Sequence, residues 1–321
     1  MTHNVRERGQ ILPWLAVLMI PLVGFVALGL DVGRSYMVSD ILQTSVASAA
    51  RAGALDLPAT TAAEQSQAQA DATQYMTAAN FADSYQISFS QANFPLTQIT
   101  VTATKSIPTL WGSVLGFTGE SETQSATAAV GAITGVGQDL LPIGVELSGP
   151  ITSQQAVQLV DGKGNNGSNG NSAPTITMVP LAIPPDTFTN ELTYGYSGSP
   201  VSVGATLATQ SGTKNTLDAE ILNALESRAN NDGGVSTYTA TIPVYSSTRL
   251  FVLPVVTAPQ NGQVTVEGFA LFWLTDSYAT LAGEHGQLSL DGEFVQRFIT
   301  GPIDTAMTND NFGLYGIQLQ Q

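Results

Sequence analysis

An uncharged apolar run of 20 residues, ILPWLAVLMIPLVGFVALGL, fills positions 11–30 and constrains the fold more than any other feature of the sequence. A helix rises about 1.5 Å per residue, so a helix of this length reaches about 30 Å, the thickness of the hydrocarbon core of a bilayer. The run is apolar on every side, which argues against a helix that packs one face on a globular core. We therefore predict that residues 11–30 form a transmembrane helix.

The orientation in the membrane follows from the charges before the run. Arg6 and Arg8 precede it, and positively charged residues stay on the cytoplasmic side of a membrane. The predicted topology is a single pass through the bacterial inner membrane, with residues 1–10 in the cytoplasm and the bulk of the chain periplasmic or extracellular. The alternative is a cleaved secretory signal peptide, because residues 27–29 (ALG) resemble a cleavage box, although they lie within the apolar run. The sequence leaves cleavage open.

The charge and the cysteine content argue against several classes of function. The net charge is −15, and because residues 1–30 carry one net positive charge, the rest of the chain carries −16. Such an acidic body does not neutralise phosphates, so nucleic acid is not an expected partner. The sequence contains no cysteine, which excludes thiol catalysis, thiolate zinc sites and disulfides.

The residues at the end of the apolar run form a candidate membrane junction and helix-packing site. Gly29 and Gly33 are four residues apart, a spacing of small residues that lets another helix approach closely. Asp31 and Arg34 are three residues apart, close enough on a helix to pair at the membrane edge. Tyr36 follows where aromatic side chains are enriched at the membrane surface. The alternative for the two glycines is that they only ease packing at the interface.

The same region carries a resemblance to a known family. The pairs Gly9-Gln10, Leu30-Asp31 and Gly33-Arg34, followed by Tyr36, occur in the order and spacing of TadG-like (TadE/TadG) proteins of Flp, or tight adherence, pilus assembly. A second block at 99–133 resembles the strand, short helix and Ala/Val-rich strand of that family.

The sequence departs from relatives of that system in two places. Trp14 stands where related prepilins carry a glutamate, so processing by a prepilin peptidase is not expected. The Asp-x-Ser-x-Ser metal motif of longer family members does not occur, so their metal-dependent adhesive site is not expected either.

The resemblance implies assembly rather than catalysis. It implies a membrane-anchored periplasmic component of Flp-type (Tad) pilus assembly that acts through protein–protein contacts, without a cofactor. The partners it implies are other pilus-assembly proteins or pilin subunits, inner-membrane lipid, and further copies of the chain that associate through the N-terminal helix. Two alternatives stay open: a surface-exposed adhesin or binding module on a membrane anchor, and a tethered or secreted hydrolase that works through carboxylates.

The first part of the exported chain is predicted to be a helix pair. Apolar residues at three- and four-residue steps continue the first helix to about Leu55, and Pro58 stops it. A second helix rich in Ala and Gln is predicted from about Thr61 to Asn80.

An antiparallel sheet follows the helix pair. Alternation of apolar and polar residues predicts strands around 85–89, 99–103 and 126–132, with a turn at 93–95. Helices that cover one face of such a sheet make an α+β fold, and we assign residues 31–135 to this domain.

The remaining residues, 136–321, are predicted to form a β-rich lobe. Gly and Pro residues at 135–150 indicate a linker, and 217–229 is predicted to be a helix with Thr216 as its N-cap. Both faces of 263–275 are apolar, which is typical of a central strand. Further strands are predicted at 175–181, 235–246, 249–257 and 287–300.

The sequence offers no catalytic constellation and no metal site. His285 lies in a Gly-flanked segment typical of a surface loop, and the other histidine, His3, precedes the apolar run. The stretch 161–171 is rich in the Asp and Asn oxygens that suit calcium. Lys163, however, stands where a ligand oxygen is needed and Ser172 where a bidentate glutamate is needed, so a flexible surface loop is predicted there.

Overall fold

The chain is α+β, as predicted, and it divides into two compact units. The computed structural model describes residues 11–90, 95–109, 119–147, 149, 151, 156–161, 174–185, 187–231, 247–282, 287–305 and 312–320. The first unit comprises residues 1–129 with 319–321, and the second comprises residues 130–318.

The helices and strands are numbered in chain order. The helices are α1 (Ile11–Ala54), α2 (Ala62–Ala79), α3 (Phe188–Tyr194) and α4 (Lys214–Asn230). The strands of the first part are β1 (Ser84–Phe89), β2 (Gln98–Ile107) and β3 (Glu120–Ile133). The remaining strands are β4 (Gly135–Val136), β5 (Ile143–Val145), β6 (Ala156–Asp161), β7 (Thr175–Ala182), β8 (Val201–Ser202), β9 (Thr206–Thr209), β10 (Leu250–Val256), β11 (Gln263–Ala282), β12 (Gln287–Val295), β13 (Arg297–Phe298), β14 (Ile303–Asp304) and β15 (Leu314–Gln320).

The predicted helix pair is confirmed, and local chemistry fixes the bounds of its second member. Thr61 is the N-cap of α2: its hydroxyl accepts the backbone N–H of Glu64 at 3.3 Å, and a Glu64 carboxylate oxygen accepts the N–H of Thr61 at 3.2 Å. This reciprocal pair satisfies two N–H groups that a helix start leaves open. Asn80 ends the helix in the left-handed conformation, with φ at 43°.

The sheet of the first unit is antiparallel, in the order β1-β2-β3. Val101 at its centre lies opposite Ile87 of β1 and Ala126 of β3. Because successive side chains of a strand point to opposite faces, one face is apolar and packs against the helices, and the other is polar. On the polar face the hydroxyls of Thr102 and Ser125 are 3.0 Å apart. The core of the first unit is built mainly from small apolar residues: Leu42, Val46, Ala49, Ala50, Ala68, Ala72, Met76, Ile99, Val101, Ala103, Ala126 and Ala128.

The second unit is built around a sheet that closes on itself. The strand order is β10-β5-β7-β6-β12-β11, and β11 pairs back with β10, while β9 pairs with both β7 and β11. The predicted central strand is confirmed, since β11 lies between β10 and β12 and its residues 268–274 are buried on both faces. Phe272 and Trp273, neighbours on β11, contribute to two different cores. Helices α3 and α4 close the core on the side of Phe272.

Two predictions about this part of the chain are wrong. The supposed linker at 135–150 contains β4 and β5, and Leu140 and Ile143 are fully buried in the cores. Helix α4 begins at Lys214 with Thr213, not Thr216, as its N-cap. Both threonines suit the N-cap of a helix. The earlier start lengthens α4 by about one turn and includes Lys214, which lies one helical turn before Asp218.

Several predicted features lie outside the described residues. They are the turn at 93–95, most of the short helix expected between β2 and β3, most of the Asp/Asn-rich stretch 161–171, the strand at 235–246, and His285.

Candidate membrane and assembly helix

Helix α1 consists of an exposed half and a packed half. It has 44 residues, so it is about 66 Å long at 1.5 Å per residue. The large apolar side chains that the structure describes in its first half are exposed in the folded chain, with Trp14 77% and Phe25 75% exposed. The others are Leu15, Val17, Leu18, Met19, Leu22, Val23, Val26, Leu28, Leu30 and Val32. An unbroken apolar surface of this length has no stable place in water.

By its length and composition, α1 can cross a membrane. Within the part of the chain that the structure describes, it is the one helix with both properties. Pro21 lies inside the helix. Proline is tolerated in membrane helices because neighbouring groups satisfy the carbonyl that it leaves open.

The five junction residues predicted from the sequence all lie on α1, between its exposed and its packed half. A β-carbon added to Gly29 or to Gly33 would meet no atom of the described residues within 4 Å. Asp31 is half-buried, whereas Arg34 is exposed and donates a hydrogen bond to the carbonyl oxygen of Pro108 at 3.3 Å. Tyr36 is 75% exposed. The two glycines therefore leave a smooth surface that no residue in the described part of the chain packs against.

Polar contacts join the junction to the end of the sheet. Ser35 donates to a carboxylate oxygen of Glu120 at 3.3 Å, and the amide of Gln124 donates to the hydroxyl of Ser39 at 2.7 Å. A small hollow of about 260 Å³ beside them is lined by Arg34, Met37, Val38, Ile41, Phe81, Lys105, Ser106 and Ile107. These contacts tie the junction of α1 to the end of β2 and the start of β3.

The packed half of α1 uses its small residues inside the chain. Ala49, Ala50 and Gly53 are buried. A β-carbon at Gly53 would lie 2.5 Å from Cδ1 of Ile99 and 2.7 Å from the carbonyl oxygen of Ala68. The alanine-rich stretch after the junction is thus committed to the fold of the first unit.

Comparison with known families places a match on this helix. Residues 9–56 match the Tad family model, described as "Putative Flp pilus-assembly TadE/G-like". The N-terminal segment is TadE/G-like. The matched range covers α1, including the junction glycines and Gly53, and it ends at Asp56, two residues beyond the helix. Comparison with curated proteins and with solved structures gives no match.

The family match supports a role related to Flp pilus assembly, as the sequence predicted. The description is that of a pilus-assembly family and not of an enzyme family. The TadE/G-like helix and its exposed apolar half together support membrane anchoring.

Two carboxylate pairs lie outside the helix surface and were missed by the sequence analysis. Asp56, in the turn after α1, lies beside Asp71 of α2; burial, and then the charge of Asp71, raise the pKa of Asp56 to about 6. In the second unit, burial, and then the charge of Asp161, raise the pKa of Asp218 to about 6. Lys214 opposes this shift, with its Nζ 2.6 Å from Asp161 and 3.8 Å from Asp218. Asp161 therefore forms a salt bridge with Lys214, which is a further argument against calcium binding by residues 161–171.

A cleft of about 660 Å³ in the second unit holds a buried arginine. Arg228 of α4 donates from Nε to the carbonyl of Leu192 at 2.6 Å and from Nη1 to the carbonyl of Thr248 at 3.2 Å. Its guanidinium lies over the ring of Phe251, 5.8 Å from the centroid. Burial lowers the pKa of Arg228, and the charge of Asp139 works against that shift. These bonds give the arginine a structural role in joining α4 to α3 and to the start of β10.

A signal for Asp218 and Arg228 exists in the sequence. With α4 starting at Lys214, Asp218 and Arg228 fall in register with the buried Ile221 and Leu225, at steps of three and four residues. The pair of Asp56 and Asp71 has no such signal, because Asp56 lies in the turn after α1 and Asp71 lies on α2.

Proposed function

We propose that this chain is a membrane-anchored periplasmic component of Flp-type (Tad) pilus assembly that acts through protein–protein contacts. The observation that carries the proposal is the coincidence of the TadE/G-like segment, residues 9–56, with a helix whose first half is exposed and apolar while its second half is packed. The exposed half anchors the chain in the inner membrane, with the N-terminus in the cytoplasm. The bulk of the chain, which follows the exposed half, lies on the far side.

The junction surface is the proposed contact for partner helices. Gly29 and Gly33 are one helical turn apart, and a β-carbon added at either position comes within 4 Å of no described atom. Larger residues there leave the fold intact but keep another helix at a distance. The partners proposed for this surface are pilin subunits, other pilus-assembly proteins or further copies of the chain, with Asp31, Arg34 and Tyr36 at the membrane edge.

Co-purification from the native membrane tests the proposed contact. We expect the double variant Gly29→Leu and Gly33→Leu to reach the membrane in normal amounts but to lose most of its co-purifying partners. Gly24→Leu is the matched control, because Gly24 also faces open space and lies on another side of the helix. Equal recovery of partners with the double variant and with the control would refute helix-mediated assembly.

Protease accessibility tests the topology separately. We expect a membrane-bound protein of full mass that is digested only after the outer membrane is made permeable. A soluble protein that lacks its first 30 residues would instead support the signal-peptide alternative.

A binding module on the same anchor is the second candidate function. The cleft beside Arg228 favours it, since exposed Tyr194 and half-buried Arg297 also line that cleft. Binding of a glycan panel by the full-length protein in detergent, with loss on Tyr194→Ala, would support this function over assembly alone.

A further inference from the structure

We propose that the end of the first unit's sheet, where β2 ends and β3 begins, is a second membrane contact that lies on the lipid headgroups beside the anchor. The contact is assigned to Arg34, Pro108 and Glu120, all of which belong to the first unit. This inference depends on the proposed membrane span of α1, and it adds a lipid-binding surface to that span.

Strand β2 runs alongside α1 toward the membrane. At one end Gly53 lies beside Ile99, and at the other the guanidinium of Arg34 donates to the carbonyl oxygen of Pro108 at 3.3 Å. The 19 helical steps from Arg34 to Gly53 span about 28 Å, and the nine extended steps from Ile99 to Pro108 span about 30 Å. Because these two lengths agree, the strand is nearly parallel to the helix axis, and Pro108 lies at the level of Arg34.

That level corresponds to the lipid headgroups. The span predicted from the sequence ends at Leu30, and Arg34 follows about 6 Å farther along the helix. A bilayer with a hydrocarbon core of about 30 Å is about 40–45 Å thick in total, so each headgroup layer is about 5–7 Å deep. The start of β3 is held close to the same level, because Ser35 donates to a carboxylate oxygen of Glu120 at 3.3 Å.

The charged side chains at this end suit a zwitterionic phospholipid. Arg34 is exposed, and a guanidinium has five N–H donors that suit phosphate oxygens. Glu120 is also exposed and carries the charge that attracts the ammonium group of the same lipid. The net charge of the chain is −15, which disfavours a lipid that is itself anionic. The expected ligand is therefore a neutral headgroup with a phosphate and an ammonium group.

The sequence between β2 and β3 favours lipid over a soluble partner at this end. Residues 110–118 read LWGSVLGFT and carry no charge. They include Trp111, a residue type enriched where proteins meet the membrane surface. Both flanking residues that the structure describes at the junction, Pro108 and Glu120, are in contact with α1 just beyond the span. An apolar sequence attached at that level is typical of a membrane contact.

A depth measurement with spin labels tests the proposal, because the cysteine-free chain accepts one label at a chosen position. The full-length Pro108→Cys variant would carry a nitroxide and be reconstituted into vesicles of phosphatidylethanolamine and phosphatidylcholine. Pro108 is exposed, and its backbone carbonyl, which Arg34 contacts, is retained in the variant. Collisions with oxygen report lipid, and collisions with a water-soluble nickel complex report water. We expect the Pro108 label to meet both, as a group at headgroup depth does.

Two reference labels define the scale. Leu18→Cys lies within the proposed span, so its label should meet oxygen and not the nickel complex. Ser88→Cys is exposed and pairs with Thr100, about 26 Å along the sheet from Pro108, so its label should meet mainly the nickel complex. Glu120→Cys is a second probe of headgroup depth if Pro108→Cys folds poorly, and it should give the same intermediate result.

A charge reversal tests the role of Arg34. Arg34→Glu places a negative charge at the lipid phosphate, so it should shift the Pro108 label toward the value of the Ser88 label. Arg51→Glu is the matched control, because Arg51 is also exposed on α1 but lies about 25 Å farther from the membrane. It should leave the Pro108 label where it was.

Three results would overturn the proposal. The first is a Pro108 label as accessible to the nickel complex as the Ser88 label, and the second is one that neither reagent reaches, which would show that protein covers this end. The third is an equal effect of Arg34→Glu and Arg51→Glu. A Leu18 label that oxygen does not reach would instead refute the membrane span itself. A Leu18 label in lipid with a Pro108 label in water would refute the second contact alone.

Discussion

Gly53 of α1 lies so close to Ile99 of β2 that a β-carbon on the glycine would be 2.5 Å from Cδ1 of Ile99. The same β-carbon would be 2.7 Å from the carbonyl oxygen of Ala68. Carbonyl oxygens of a helix do not move aside as the end of a side chain can. The first helix, the second helix and the sheet therefore meet at Gly53, where α1 has no side chain.

Replacing Gly53 with alanine should destabilise the first unit. Alanine favours a helix over glycine by about 1 kcal/mol, whereas overpacking a core costs about 1–3 kcal/mol. Because the clash involves backbone, we expect the cost to exceed the gain and the melting temperature of the full-length protein in detergent to fall. Thermal unfolding followed by circular dichroism measures this. Gly24→Ala, where the added carbon meets nothing, should leave the melting temperature unchanged or raise it; a fall of equal size there would contradict the packing argument.

The pair of Asp56 and Asp71 should make the first unit less stable as the pH rises. The pKa of Asp56 is raised from its ordinary value of 3.8 to about 6 in the folded chain, first by burial and then by the charge of Asp71. The folded state therefore holds this proton more tightly than the unfolded chain, and stability falls as the pH rises from about 4 through about 6. Asp71→Asn removes the opposing charge and should raise the melting temperature at pH 7.5 but hardly change it at pH 4.

Comparison with a surface carboxylate separates this effect from net charge. Asp40→Asn removes one negative charge from an exposed position of α1. If Asp40→Asn stabilises the protein at pH 7.5 as much as Asp71→Asn does, the carboxylate pair is not the cause.

Features encoded over short stretches were predictable from the sequence, and features that depend on distant pairing were not. The capping residues Thr61 and Asn80, the alternation in β1 and β2, and the apolar run at 11–30 each need only neighbours to be recognised. The junction motif around Asp31 is equally local, which is why the family resemblance could be recognised and the match at 9–56 confirms it.

In the second unit, composition alone led to a wrong prediction of a linker. Gly and Pro at 135–150 indicated a linker, yet Gly144 lies in β5, where an added β-carbon would be 2.7 Å from a methyl group of Val256. The glycine there permits close packing within a closed sheet rather than flexibility. Short buried strands such as β5 take their partners from distant parts of the chain, and the sequence does not specify those partners.

Removing Arg228 should destabilise the second unit. Its guanidinium satisfies the carbonyls of Leu192 and Thr248, and each buried acceptor left without a partner costs about 1–3 kcal/mol. We expect Arg228→Met, which keeps the apolar length of the side chain, to lower the free energy of unfolding measured in urea. Arg297→Met, a change of the same type at a half-buried position lining the same cleft, should cost less. An equal loss of unfolding free energy from both variants would show that the loss of a positive charge, and not of these two hydrogen bonds, destabilises the unit.

Lys214 should stabilise the second unit, because its positive charge offsets the repulsion between two carboxylates. Its Nζ lies 2.6 Å from Asp161 and 3.8 Å from Asp218, whose side chain is 3% exposed. Without the lysine, the charges of Asp161 and Asp218 oppose each other unscreened in a buried setting. Lys214→Met should therefore lower the melting temperature at pH 8 more than at pH 5, because Asp218 takes up a proton at the lower pH. The double variant Lys214→Met with Asp218→Asn should recover most of the loss, and failure to recover would exclude carboxylate repulsion as its cause.

Charged residues on the exposed half of α1 should release the protein from the membrane without unfolding it. Leu18 and Phe25 are both exposed and lie seven residues apart, two turns along the helix. A lysine near the centre of a membrane helix costs about 2.5–3.5 kcal/mol on insertion scales. We expect Leu18→Lys with Phe25→Lys to shift the protein from the carbonate-resistant membrane fraction to the soluble fraction or to aggregates. Leu55→Lys, at an exposed position beyond the packed half of the helix, should stay in the membrane. A double variant that remains carbonate-resistant would contradict a membrane span at residues 11–30. Such a span buries both side chains in lipid, so two lysines there should weaken the anchor.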